Sequence, residues 1–112
     1  MIFKQFTTNE IKAAGWLRNQ LEIQAKGLSG NLDKMWNSVK ESSWIGGNDE
    51  GWERVPYWLD GFVPLAYLLD NNDMKARAKN MLTLFLNVSV RTAGSARAKR
   101  KSVLAMISGL AL

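Results

Sequence analysis

Apolar positions fall at helical spacing over most of the chain. Ile11, Ala14, Leu17, Leu21, Ala25 and Leu28 recur every third or fourth residue, which predicts a helix of about 18 residues with one apolar stripe. Thr8 or Asn9 is placed to cap its start, Gly15 weakens its interior, and Gly27 or Gly30 marks its end. Leu32, Met35, Trp36 and Val39 predict a shorter helix after a turn at Ser29 to Asn31. Further on, Met74, Ala78, Met81, Phe85 and Val88 give a regular amphipathic helix capped by Asn72 or Asp73, with Lys75 and Lys79 on its wet side.

Two middle segments break this rhythm. Ser42 to Glu53 has no helical period, and Gly46, Gly47 and Gly51 predict tight turns or close backbone approach in a loop that also carries Trp44 and Trp52. Pro56 then opens a helix that is apolar nearly all round as far as Leu69, so burial on more than one side is implied. Pro64 either kinks this helix or starts another; the pattern is compatible with both. The predicted fold class is all-α, built of antiparallel helical hairpins with short connections.

Composition narrows the chemistry. The 112 residues contain no Cys and no His. Disulfides, thiolate nucleophiles, imidazole bases and nearly every zinc arrangement are thereby removed, and carboxylate chemistry is what remains. No N-terminal stretch reads as a signal peptide, no apolar run is long enough to span a membrane, and a cytoplasmic setting is the default expectation. The net charge of +5 is uneven: acidic and basic residues balance through Ser89, and the excess lies in Arg91, Arg97, Lys99, Arg100 and Lys101. Every aromatic residue, by contrast, lies at or before Phe85. The chain divides into a neutral, aromatic-rich body, 1–88, and a basic tail, 89–112.

The segment WIGGNDEGWERVPYWLDGFVPLAYLLD, with GLSGNLDKMW upstream of it, resembles a block of the bacterial β-L-arabinofuranosidase-like glycoside hydrolases, over roughly residues 10 to 88. The resemblance implies one sector of an (α/α)6 barrel, an early portion of a longer enzyme that releases β-L-arabinofuranose from plant-type glycans. That family's catalytic Glu and zinc-bound Cys, with the remaining zinc ligands, lie beyond the matched region, so no catalytic residue is carried over and any zinc belongs to the intact relative. Past Leu86 the chain departs from the family's pattern. A codon choice exists for Arg91 to Ala98 that restores the family-like Asp-Gly-Trp-Leu-Gly-Pro in another frame, so the residues from about Val90 to Leu112 are read as the product of a frameshift, and the fragment is expected to be inactive by itself.

Within the aromatic block, Trp52 and Trp58 are candidates to present flat faces to a sugar ring, while Glu53, Arg54, Tyr57 and Asp60 hydrogen-bond its hydroxyls. Glu53 and Asp60 are the block's candidate carboxylate pair. Glycoside hydrolysis would need such a pair about 5 to 9.5 Å apart, depending on stereochemistry. The competing reading of the same residues is structural. Arg54 pairs with Glu53 or Asp60, Asp60 bonds inward, and the tryptophans fill the join between helices. Trp44, Phe62, Leu65, Tyr67, Leu68 and Leu69 read as core, and Trp16 and Trp36 as packing residues.

Three partner classes follow. One is a plant-type glycan or small sugar, held by a truncated hydrolase-like protein or by a non-catalytic carbohydrate- or protein-binding module. Another is nucleic acid, contacted by the basic tail, although the tail lacks interleaved aromatics for base stacking. The last is a further copy of the chain, through apolar surface left uncovered along Tyr57 to Leu69.

Overall fold

The computed structural model describes residues 1–50 and 52–91. Gly51 and the segment 92–112, which holds most of the predicted basic tail, lie outside the described residues. What is described is all-α. Helices α1 (Gly15–Lys26), α2 (Leu28–Met35), α3 (Asn37–Lys40), α4 (Arg54–Leu68) and α5 (Asn72–Arg91) are joined by short turns, with a 3-10 turn at Ser43–Ile45 and an isolated bridge between Ser42 and Asp49.

The centre of the fold is α4. Val55, Trp58, Leu59, Phe62, Val63, Leu65 and Ala66 are buried along it, an arc wide enough to need neighbours on both sides. One side is covered by α5, through Met74, Ala78, Met81, Leu82 and Phe85, and the other by α1 to α3. The predicted two-sided burial is therefore present, and it corrects the expectation of uncovered apolar surface along Tyr57 to Leu69: α5 and α1 to α3 cover that segment, leaving Tyr57 as its one exposed large apolar side chain among the described residues. Pro64 neither ends the helix nor opens another. It removes the N–H that would bond the Asp60 carbonyl, but Asp60 is exposed and Pro64 half-buried, so the cost falls on the wetter side of the helix. Trp58 stacks on Phe62 inside the core, ring centroids 4.4 Å apart, and Trp44 stacks on Phe85 at 5.3 Å.

The first helix is shorter than its apolar stripe suggests. It begins at Gly15, whose φ of +58 is in the left-handed region, after an extended Ala14. Upstream, residues 7 to 10 close a separate turn, in which the Glu10 N–H donates to the Thr7 carbonyl at 3.1 Å and the Thr7 N–H to Glu10 Oε2 at 2.8 Å. Gly15 thus starts the helix instead of weakening its interior, and the predicted caps Thr8 and Asn9 belong to that turn. No side chain of α1 is fully buried; Leu21 and Ala25 are half-buried against the core.

The predicted turn at Ser29 to Asn31 is helical, because α2 starts at Leu28, directly after Gly27. So sharp a corner needs two devices. A side chain at Gly30 would put its Cβ 1.8 Å from the Ala25 carbonyl oxygen, so only glycine lets α2 pass the end of α1. The Asn31 amide donates to the carbonyls of Lys26 and Gly27, at 3.1 and 2.9 Å, satisfying groups that α1 leaves open. Trp36, with φ −111 and ψ 115, splits the predicted second helix into α2 and the single turn α3.

In the loop that follows, Gly46 adopts φ +90, and a Cβ on Gly47 would lie 2.1 Å from the Glu41 carbonyl oxygen. Tight turning and close approach are both present there. Asn71 caps α5, its Oδ1 accepting from the Met74 N–H at 3.1 Å, in place of the predicted Asn72 or Asp73. The helix runs past residue 88 to Arg91, with Ser89 buried and its hydroxyl donating to the Phe85 carbonyl at 2.8 Å.

Polar straps hold α2 and α3, which bury only Gly30 and Val39 completely. Trp58 Nε1 donates to the Ser29 carbonyl at 2.9 Å, and Arg54 Nη1 to Ser38 Oγ at 2.8 Å. Arg77 Nη1 reaches both Asp33 oxygens, at 2.8 and 3.0 Å, and the Gly30 carbonyl at 3.0 Å, with its guanidinium over the Phe62 ring. Trp16 is 78% exposed and Trp36 43%, which corrects their reading as packing residues.

Candidate functional site

At the N-terminal end of α4, Trp44, Trp52, Glu53, Arg54 and Tyr57 line an open depression of about 590 Å³. Three elements build it. The 3-10 turn supplies Trp44, anchored on one face by Phe85. Its position is fixed by Ser42, which is fully buried and whose hydroxyl accepts from the Trp44 N–H at 3.3 Å. Trp52 and Glu53 come from the segment entering α4, and Arg54 and Tyr57 from the first turn of that helix. Trp52 is 63% exposed and Tyr57 73%, so both rings offer most of their surface to solvent.

The polar groups differ in freedom. The Glu53 side chain forms no hydrogen bond or ion pair among the described residues. Arg54 is held by Ser38 and by the Trp36 ring, 4.9 Å from its guanidinium carbon, and not by Glu53 or Asp60 as the structural reading expects. One of its five N–H donors is used in that bond to Ser38. The depression thus combines aromatic faces, a carboxylate and a guanidinium edge.

Two of the six candidate residues lie elsewhere. Trp58 is 8% exposed, stacked on Phe62 and bonded to Ser29, so its ring faces are already occupied by the core. Asp60 is exposed on the outer strip of α4 and makes no inward hydrogen bond among the described residues, contrary to the inward role expected of it. It lies seven residues after Glu53, which at the rise of an α-helix separates their backbones by about 10 Å. Of the two, Glu53 lines the depression and Asp60 does not.

Sequence reasoning missed Trp44 as a wall of the depression, because a half-buried aromatic in a loop carries no periodic signal. It also missed Arg77, which sits on α5 between Met74 and Ala78 and gives no pattern cue that it points inward.

A metal centre does not fit the donor set. The sequence supplies no Cys or His, and among the described residues no three carboxylates gather to hold an ion. A second depression, of about 500 Å³ between α1, α2 and the start of α5, is lined by charged groups that are largely paired with one another, Arg18 with Glu22 and Arg77 with Asp73. No helix among the described residues is long and apolar enough to cross a membrane.

The chain matches no family model, no curated protein and no solved structure.

Proposed function

We propose that this chain is a non-catalytic helical binding module whose aromatic depression takes a neutral carbohydrate. The observation that carries the reading is the convergence of Trp44, Trp52 and Tyr57 with Glu53 and Arg54 in one open concavity. Aromatic faces cover the C–H surfaces of a sugar ring, the carboxylate accepts from its hydroxyls, and the guanidinium donates to them. The polar pair also selects for neutrality. Arg54 opposes a cationic guest, Glu53 opposes an anionic one, and a polyhydroxylated neutral ligand uses both.

The origin we propose is one sector of an (α/α)6 barrel related to the β-L-arabinofuranosidase-like hydrolases. Exposed apolar side chains on α1 and before it, among them Phe3, Phe6, Ile11, Trp16 and Ile23, are what a helix pair cut from a larger barrel would leave uncovered. A partner protein or a further copy of the chain would use the same surface. Hydrolysis itself, and any zinc, would belong to the intact relative.

The test is an NMR titration of the full chain with neutral mono- and oligosaccharides, following the Trp indole N–H signals. Trp52→Ala and Tyr57→Ala should each weaken binding by about tenfold. Stability should stay within about 0.5 kcal/mol, since both side chains are surface-exposed. Unperturbed indole signals at saturating sugar would refute the reading.

A further inference from the structure

Trp36 and Arg54 together form a wall that the fold does not need for its core. The indole sits where α2 breaks from α3, turned out of the helical stripe by its extended backbone, and it keeps 43% of its surface. Among the described residues its one charged contact is the Arg54 guanidinium, 4.9 Å from the ring centroid. Arg54 in turn is fixed by Ser38 at 2.8 Å and lines the depression beside Glu53 and Tyr57. A guanidinium is flat, stacks on aromatic rings and carries its donors at its edge. Side by side, these groups run from Trp36 through Arg54 into the aromatic depression, with the remaining Arg54 donors meeting no acceptor among the described residues.

We infer that Trp36 and the Arg54 guanidinium provide a second ring-binding position adjoining the depression, so that the ligand is a neutral oligosaccharide and not a monosaccharide. This rests on the carbohydrate reading of the depression given above. Trp52 and Tyr57 hold one ring; the Arg54 edge bonds hydroxyls at the junction; the open part of the Trp36 indole takes the next ring. Stacking at the second position adds affinity only when a ligand spans both.

Titration of the full chain with two ladders tests this: arabinose, arabinobiose and arabinotriose, and glucose, cellobiose and cellotriose. In the ladder that binds, affinity should rise roughly tenfold from monosaccharide to trisaccharide. Trp36→Leu keeps apolar bulk but loses the flat face. It should reduce that rise to within about twofold while leaving the monosaccharide affinity unchanged. Arg54→Lys keeps the charge and a donor for Ser38 but not the planar surface, and should also flatten the rise. Circular dichroism confirms that both variants fold. Equal affinities along the ladder, or a rise that survives in Trp36→Leu, would overturn the second position and leave the depression standing. No binding in either ladder would remove both.

Discussion

Arg77 is the residue on which most elements converge. It is a side chain of α5 that bonds Asp33 and Gly30 of α2, pairs with Asp73 one turn back, and lies over Phe62 of α4. With Arg77 and Asp33 only 19% and 12% exposed, removing one partner leaves the other poorly solvated. Arg77→Met should therefore cost about 2 to 4 kcal/mol in urea denaturation, and Asp33→Asn a comparable amount. A double variant should cost less than the sum, because the orphaned charge is gone. At the surface, Lys75 acts on Asp70 chiefly by a hydrogen bond and then by its charge, with Lys12 adding to the effect, and together they hold the Asp70 carboxyl below its ordinary range. A carboxylate whose pKa is lowered by folding contributes stability above its unfolded pKa and loses it as pH falls through the folded value. Carbon-detected NMR should show Asp70 titrating below a free aspartate, and Lys75→Met should raise it back.

At the scale of elements, the corner between α1 and α2 depends on an absent side chain. Gly30→Ala would drive a methyl into the Ala25 carbonyl, and relief requires α2 to move away from α1. A loss of about 1 to 3 kcal/mol is expected by thermal or urea unfolding. The period of apolar residues in the sequence was sufficient to place α5, whereas at α4 the apolar run after Pro56 was legible but its continuity through Pro64 was not, because that depends on which side of the helix the lost hydrogen bond faces. It was misleading at α1, where Ile11 and Ala14 continue the spacing but Gly15 takes a left-handed backbone that ends the register. It also merged α2 with α3, since Trp36 keeps the apolar period while its backbone leaves the helix. Of the candidate site, Trp52, Glu53, Arg54 and Tyr57 were legible because they are consecutive or one helical turn apart. Trp58 was not separable from them, since burial of an aromatic depends on what α2 and α5 bring against it. Arg77 and Asp33 are 44 positions apart in the chain, and no local pattern joins them.

Across the molecule, apolar surface is divided unevenly. The buried hydrophobic side chains belong almost wholly to α4, α5 and the turn between them, with Val39 of α3 added, while Met1, Ile2 and Phe3 are nearly fully exposed. Such a distribution suits a chain whose first third meets another surface. The aromatic depression lies at the opposite kind of place, where the well-packed end of α4 meets a loop held by Ser42, Gly46 and Gly47.

The lack of a fully buried side chain in α1 gives the fold two tiers of cohesion. Detaching α1 forfeits little more than the partial shelter of Leu21 and Ala25, whereas parting α4 from α5 dismantles the whole interior. Local opening of residues 1–26 should therefore cost less than opening of α4 and α5, and amide exchange should be faster along α1 than along those two helices.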